Sequence, residues 1–461
     1  MPFNSFDQYP MTWRTSLNKA ETPYYVTLAK ILEQDIASGA LLPGTKLPPR
    51  RELADFLDIN VSTVSRAFKI CANKGLLTGT VGSGTFVAYD VTTNIFASPV
   101  QHNTPLIELG SMMPETMPQE EIVDLLQKML TEPDAFKLFQ YAHGEPLWHK
   151  EAAAKLIART GYSPNPFDIF TASGGQNAIA AVFAGLFNPG DKLGVDPLVY
   201  PGLKSAAKLF GIQLVPIRQE QGEMAAEGLL YAIKNENIRS IYVMPDSQNP
   251  TTHTMSQAGR RAIANMIKEH DVLLIEDGIN SLLSQHPLQP IMSMAPEQTV
   301  YLASLSKAVL PALRLAYVVV PQRFQPQMEN ALYNINLSQS SIMTELAARL
   351  IASGQLDTLL NARQVGIHHR NQLVDTVLKG FEVWGDSNSL NRWLILPQGV
   401  SGNQFEKLAL EQGVHVFGSE RFAVGKDDPI GAARLAICVP ESIEDLQEGL
   451  LTIRKILENL S

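Results

Sequence analysis

Lys307 lies in the run Ser304-Leu305-Ser306-Lys307, seven residues ahead of Arg314. Two hydroxyls and a guanidinium suit a phosphate, and a lysine amine set between them is placed to form a Schiff base with a carbonyl compound. Four further clusters carry related chemistry. Ser173-Gly174-Gly175-Gln176 precedes an apolar helical stretch, and glycines at a helix start let main-chain N–H groups approach an anion that the helix dipole favours. Asp196-Pro197 leads to Tyr200, an aromatic able to stack on a flat ring. Pro245 is followed by Gln248, Asn249 and Pro250. Glu276 and Asp277 end an apolar run, where a buried carboxylate needs a partner, a protonated ring nitrogen being one option. Each cluster alone has an ordinary explanation, a turn for the glycines and packing for the tyrosine. Five together, each after a strand-like run, make coincidence a poor account.

The elements that must position these residues are legible as alternation. Candidate strands are Ile169–Ala172, Leu193–Val195, Ile241–Met244, Val272–Ile275 and Val300–Ala303, with amphipathic helices between them. That pattern predicts an α/β domain with a mainly parallel sheet, and ligands of such sheets bind beyond the carboxyl ends of the strands. After about residue 330 come long helical stretches, strands near Trp393–Leu396 and Arg434–Val439, and a last helix to Leu460. These predict a smaller C-terminal α+β lobe.

Residues 23–89 read as a separate compact unit. Leu28, Ile31, Leu32 and Ile36 recur at helical spacing and Gly39 offers a stop. Pro49 opens a second helix with Leu53, Ala54 and Leu57 inward, and Asn60 or Ser62 can cap a third with Val64, Ala67, Phe68 and Cys71 inward. Strand-like runs flanking Gly82-Ser83-Gly84 signal a hairpin. Three helices and a hairpin make a winged helix-turn-helix. Residues 90–106, with no Lys or Arg and many Thr, Asn, Ser and Pro, read as a linker. A flexible chain of that length spans roughly 20–25 Å. The body is then 107–461.

Composition excludes several classes. Lys plus Arg number 37 against 46 Asp plus Glu, a net charge of −9, so no global basic field draws the chain to nucleic acid. Residues 1–89 nevertheless hold nine Lys/Arg against seven Asp/Glu, a mildly basic head on an acidic body. Only two cysteines, Cys71 and Cys438, exclude a disulfide scaffold and suit a reducing cytosol. No metal-ligand spacing is present, and the adjacent His368 and His369 point apart on a helix. Neither a signal peptide nor an apolar run of about 18 residues is seen, so a cytoplasmic protein without membrane contact is expected.

A resemblance now becomes specific. Residues 23–89 resemble a GntR-type winged helix in Lys46-Leu47-Pro48-Pro49-Arg50-Arg51-Glu52-Leu53-Ala54, in Ser62-Thr63-Val64-Ser65-Arg66-Ala67 and in Gly82-Ser83-Gly84-Thr85-Phe86-Val87. Residues 107–461 resemble a fold-type I aminotransferase dependent on pyridoxal 5'-phosphate, in the lysine motif and in Gln248-Asn249-Pro250-Thr251. The combination is similar to the MocR-like subgroup of GntR regulators over nearly the whole chain. The resemblance implies that Lys307 carries the cofactor as a Schiff base and that Asp277 pairs with the pyridine N–H, keeping the ring electron-withdrawing. It implies Asn249 at the ring hydroxyl, Tyr200 stacked on the ring, and Gly175, Gln176, Ser304, Ser306 and Arg314 on the phosphate. Tyr141 would reach the phosphate of the neighbouring subunit in a homodimer, and Arg434 would grip an amino acid's carboxylate. In the head, Arg51, Asn60, Ser62, Thr63, Arg66 and Gly82 are the implied contacts to double-stranded operator DNA.

Departures from the family pattern matter. Ile279 and Asn280 stand where a tyrosine usually donates to the ring oxygen, Thr252 stands where glycine is usual, and Val61 and Ser65 stand where many relatives carry arginines. Three readings compete: a regulator whose body senses pyridoxal phosphate or a small amine or amino acid, a working aminotransferase with a DNA-binding appendage, and a dead body serving only dimerisation. The attached winged helix favours the first, Lys307, Asp277 and Arg434 oppose the third, and the missing tyrosine opposes efficient turnover by the second.

Overall fold

The computed structural model describes residues 12–17, 23–80, 84–89, 106–114, 120–141, 144–284 and 287–460. The head forms three helices, Tyr24–Ser38, Arg50–Leu57 and Val61–Asn73, and an antiparallel hairpin of Leu77–Thr80 with Gly84–Val87. Leu28, Leu32 and Ile36 from the first helix meet Leu53 and Leu57 from the second and Val64 and Phe68 from the third. The first helix stops where Gly39 turns left-handed at φ 83°, a conformation glycine adopts without steric cost. Asn60 accepts from the Ser62 amide at 2.9 Å and so caps the third helix. Trp13, upstream of residue 23, is buried in this core and donates its indole N–H to Asp35 at 2.7 Å.

The large lobe is built on a seven-stranded sheet. Its spatial order is Ile169–Ala172, Ala316–Val319, Thr299–Ser304, Leu273–Asp277, Ser240–Val243, Lys192–Val195 and Gln213–Pro216. All run parallel in direction except Ala316–Val319, which opposes both neighbours. The sequence patterning did not single out that strand; it follows a tight 3₁₀ turn, Pro311–Leu313, so its apolar run reads as a continuation of the preceding unit. Helices cover both faces, and the sheet's central strands are buried throughout.

Two expected strands end two or more residues from expectation, the others lying within one residue of it. Leu273–Asp277 runs through both carboxylates rather than ending before them, because neighbours pair it on both sides as far as Glu276↔Val243 and Asp277↔Leu302. In the small lobe, Ala432–Leu435 replaces the expected Arg434–Val439, which places Arg434 inside a strand paired with Trp393 and Phe417. That lobe carries a four-stranded antiparallel sheet and the helices Gln355–Val377, Gly402–Glu411 and Ile443–Leu460. Ile107–Glu108 pairs with Val414–His415, so the body's first strand belongs to the small lobe.

The expected linker, residues 90–106, lies outside the described residues apart from Leu106. The head still touches the body directly. Asn403 donates to the carbonyl of Pro43 at 2.6 Å, and the Tyr89 hydroxyl donates to Asp428 at 2.6 Å. No described helix is long and apolar enough to cross a membrane.

Candidate functional site

Gly175, Tyr200, Asn249, Asp277 and Lys307 all end or follow strands of the parallel sheet, on its carboxyl edge. Lys307 sits on a single helical turn, Leu305–Ala308, directly after the strand Thr299–Ser304. Its side chain is half-buried, and the surrounding protein strips water from the ammonium. That loss of hydration, reinforced by the positive charge of Arg434, pushes its pKa down to about 7, against the opposing pull of Asp277. A lysine so tuned presents a neutral, nucleophilic amine near neutral pH.

Asp277 is buried at the end of the next strand. Its carboxylate accepts the Tyr242 hydroxyl at 2.5 Å and the Ile279 amide at 3.1 Å. Burial raises its pKa, and these two donors pull it back down. Sequence reasoning missed Tyr242. Register explains its role: Tyr242 lies opposite Ile275, two residues before Asp277 and therefore on the same face. A tyrosine inside an otherwise apolar strand is itself a signal, since a buried hydroxyl needs a partner.

The glycine turn opens a helix. Gly174, at φ 92°, precedes the helix Gly175–Leu186, whose first N–H groups have no partner within the helix. A side chain on Gly174 would lie 2.8 Å from the Arg314 guanidinium, so glycine is what lets that cation approach. Arg314 itself is exposed at the rim and reaches the Ser173 carbonyl at 3.5 Å. Ser304 caps the Lys307 turn by accepting from the Ser306 amide at 3.3 Å. Behind the glycines, Asn177 accepts from the Ser173 amide at 2.9 Å, and Asn336 donates to Asn177 at 2.8 Å and to the Ser173 hydroxyl at 3.1 Å. This amide network stiffens the turn and was not visible in the sequence.

Tyr200 precedes the helix Pro201–Phe210, and Gln176 donates to the carbonyl of Gly202 in its first turn at 2.8 Å. A β-carbon at Gly202 would lie 2.3 Å from the Tyr200 ring and 2.4 Å from Gln176. Glycine there sets the ring's position. Asn249, 1% exposed, accepts from Arg434 at 2.7 Å. Arg434 also donates to the Gly110 carbonyl, and its guanidinium lies 4.8 Å from the Phe422 ring centroid and 5.4 Å from that of Phe417. Burial lowers its pKa, yet a guanidinium keeps its charge at physiological pH. These two phenylalanines hold the cation flat, and sequence reasoning missed them because neither lies near Arg434 in the chain.

The departures acquire physical content. Thr252 sits at φ 64°, the left-handed region that explains why glycine is usual there. The turn is kept at a cost of about 1–2 kcal/mol. Asn280, buried, donates to the Ser247 carbonyl at 2.8 Å while its own amide oxygen has no hydrogen-bond partner among the described residues. It braces the loop before Asn249 rather than replacing a phenol. Ser306 Oγ, Gln176 Oε1 and Arg434 Nε are likewise buried without partners. Native proteins rarely leave such groups unpaired. The Ser306 hydroxyl and the Arg434 Nε–H are orphan donors, and with a desolvated lysine, a buried carboxylate and a helix start they fit a phosphorylated aldehyde with a basic ring nitrogen. Among the described residues no cluster of His, Cys, Asp or Glu is placed to hold a metal ion.

Tyr141 is not brought to this site by its own chain; it is 71% exposed, beside exposed Phe136 and Phe139. In the head, Arg51 on the second helix and Ser62 and Arg66 on the third are exposed, and Thr63 on the third is half-buried. The side-chain oxygen of Asn60 is engaged in the helix cap. Gly82 lies outside the described residues. Arg66 lies 5.8 Å from the Tyr25 ring and Arg50 5.9 Å from Phe68.

Comparisons with known proteins match each part of the chain to a family. Residues 104–450 match the family model for aminotransferase class I and II, and residues 24–87 match that for bacterial regulatory proteins of the gntR family. The HTH-type transcriptional regulator YdeF of Bacillus subtilis, itself called uncharacterized, is 48% identical over 462 residues, 100% of both chains. PtsJ of Salmonella typhimurium, a vitamin B6 salvage pathway transcriptional repressor, is 25% identical over 367 residues, 79% of this chain and 84% of its own. The crystal structure of an archaeal alanine:glyoxylate aminotransferase superposes with a TM-score of 0.72 at 19% identity, over 77% of this chain and 92% of that one. This last likeness is one of fold.

Proposed function

We propose a function from one premise: the chain belongs to the class I and II aminotransferase family and, with its GntR domain, to the MocR-like transcriptional regulators. It is a DNA-binding regulator of transcription with an aminotransferase-like body. The finer reading is that the body binds pyridoxal 5'-phosphate at Lys307 and senses it, or an amine that joins it, so as to change how the heads engage operator DNA. The vitamin B6 link of the Salmonella repressor supports pyridoxal phosphate itself as an effector. The observation that carries the reading is the desolvated Lys307 amine set among buried, partnerless polar atoms at the strand ends.

When bound, pyridoxal phosphate supplies an aldehyde that condenses with primary amines and a ring that withdraws electrons once its nitrogen is protonated. The protein's residues do the rest. Lys307 offers the neutral amine. Asp277, oriented by Tyr242, holds a proton's charge at the ring nitrogen. Gly175, Gln176, Ser304, Ser306 and Arg314 take the phosphate, and Tyr200 covers one ring face. Asn249 serves the ring hydroxyl and Arg434 together, and Arg434 receives the carboxylate of an amino-acid effector. Efficient transamination is not favoured, because Asn280 is committed to the Ser247 carbonyl and Ile279 has no donor to give the ring oxygen.

The working unit is a homodimer acting on DNA in the cytoplasm. Phe136, Phe139, Tyr141 and Trp148, close together in the chain, expose 60%, 70%, 71% and 40% of their surfaces, apolar surface that a second copy would cover. Tyr141 then completes the partner's phosphate site.

Borohydride reduction of the protein saturated with pyridoxal phosphate, followed by peptide mapping, tests the reading. It expects a single adduct on Lys307. An adduct on another lysine, or none, overturns it.

A further inference from the structure

Lys204 is 3% exposed and its ammonium donates to three main-chain carbonyls from separate parts of the molecule. These are Tyr89 of the head at 2.5 Å, and Arg421 and Ala423 of the small lobe at 3.0 and 2.8 Å. Burying a lysine is costly unless its charge is well satisfied, and carbonyl oxygens accept strongly from a cation. Lys204 lies one turn after Tyr200 in the helix Pro201–Phe210, whose first turn touches Gln176. The same cation therefore grips the helix that carries the ring-stacking tyrosine and the last described residue of the head.

The small-lobe segment it grips is also the wall of the carboxylate site. Phe422 stacks on Arg434 and its carbonyl accepts the Val199 amide at 2.9 Å, while Val424 donates to the Pro197 carbonyl at 2.9 Å. Arg421 lies 4.5 Å from the Phe417 ring, whose ring also packs on Arg434, and its Nε donates to Glu406 at 2.9 Å. Farther along, Asp428 accepts the Tyr89 hydroxyl. One face of residues 417–428 thus meets the site's arginine and the other meets the head. The head's own closing bonds lie at this contact: Gly44 donates to the Val87 carbonyl, Val87 to Thr45 and Ala88 to Leu76, at 2.9, 2.9 and 3.0 Å. The third helix of the head, with Ser62 and Arg66 exposed, is left clear.

We propose that Lys204 is a positioning residue that couples the cofactor site to the DNA-binding head, through Tyr200's helix and the segment 417–428. The proposal rests on the sensing role given above and names its route. A ligand that fixes Tyr200 and Arg434 fixes both acceptor carbonyls of the small lobe, and with them the anchor of the head. Such coupling requires one element that both sites bias, and Lys204 is where these hydrogen bonds meet.

Hydrogen exchange of the full-length protein with and without pyridoxal phosphate tests this. In the wild type, the cofactor should slow exchange in peptides covering 173–178 and 300–310. It should also slow exchange about tenfold in those covering 417–428 and 84–89. Lys204→Met should keep the first protection and lose the last, whereas Lys204→Arg, which retains donors, should keep part of it. Head peptides unmoved by cofactor in the wild type, or protected equally in Lys204→Met, overturn the coupling while leaving the cofactor site standing. Absence of protection at 173–178 and 300–310 overturns the cofactor reading, and the coupling with it. Should Lys204→Met fail to fold, the wild-type and Lys204→Arg profiles still decide.

Discussion

The head and the body keep their functional groups in opposite surroundings. Arg51, Ser62 and Arg66 stand on exposed helix surface above a small apolar core. Asp277, Asn249 and Arg434 are buried, and Lys307 is desolvated enough to have its pKa pushed down to about 7. The difference suits the proposed partners. DNA brings its own dense charge and remains wet, so a reader needs accessible cations whose strength is set by salt. A small cofactor must be enclosed, and enclosure tunes proton affinity. Salt should therefore govern one half of this protein and pH the other.

The sharpest break between the halves is Lys307→Ala. It should abolish the borohydride-fixed adduct entirely while leaving operator binding of the cofactor-free protein intact, read by peptide mapping and gel shift. Loss of DNA binding in that variant would mean that the halves are not separable in this way.

Arg434→Ala should come next. Removing one side of a buried, hydrogen-bonded charge contact costs about 2–5 kcal/mol, or roughly 30- to several-thousand-fold in affinity. Carboxylated amines titrated against the cofactor's absorption should weaken by that order, and amines without a carboxylate should not. Equal weakening of both classes would move the carboxylate site elsewhere.

The pH dependence sharpens the comparison further. Because the folded pKa of Lys307 lies below the ordinary 10.5, its neutral form appears as pH rises through about 7. The rate of cofactor capture, followed by stopped-flow absorbance, should climb about tenfold per pH unit below 7 and level off above it. In the cofactor-free protein the unfolded lysine holds its proton more tightly than the folded one. Stability should therefore increase with pH from about 7 towards 10.5. Thermal melts of Lys307→Met should lack that increase.

The smallest effect belongs to the head. Arg66→Ala or Arg51→Ala should weaken operator binding a few-fold and reduce the log–log salt slope by about 1 for each phosphate the arginine neutralises. The cofactor spectrum should not change. A salt slope identical to that of the wild type would remove the residue from the interface.

Much of the head was legible because its contacts are local. Helix periodicity, Gly39, the Asn60 cap and the glycine-marked hairpin each act over a few residues, and the observed elements follow them. Strands of the body were legible as apolar runs, and the chemistry-bearing residues follow them because the carboxyl ends of a parallel sheet gather on one edge. Strand ends were less legible. Leu273–Asp277 and Ala432–Leu435 are bounded by their pairing neighbours and not by their own composition.

Sequence alone determined the two-part organisation, the Lys307, Asn249 and Gly175 clusters and the departures at Ile279, Asn280 and Thr252, since these are matters of residue type and short spacing. Only the tertiary structure decided what those residues touch. Tyr242 meets Asp277 across 35 residues, Lys204 meets Tyr89 across 115, and Arg434 meets Asn249 across 185. Each is a directional bond made in a buried setting, where an unpaired polar group is costly. Which partner satisfies it depends on how strands and lobes are laid together, and no local pattern in the chain encodes that arrangement.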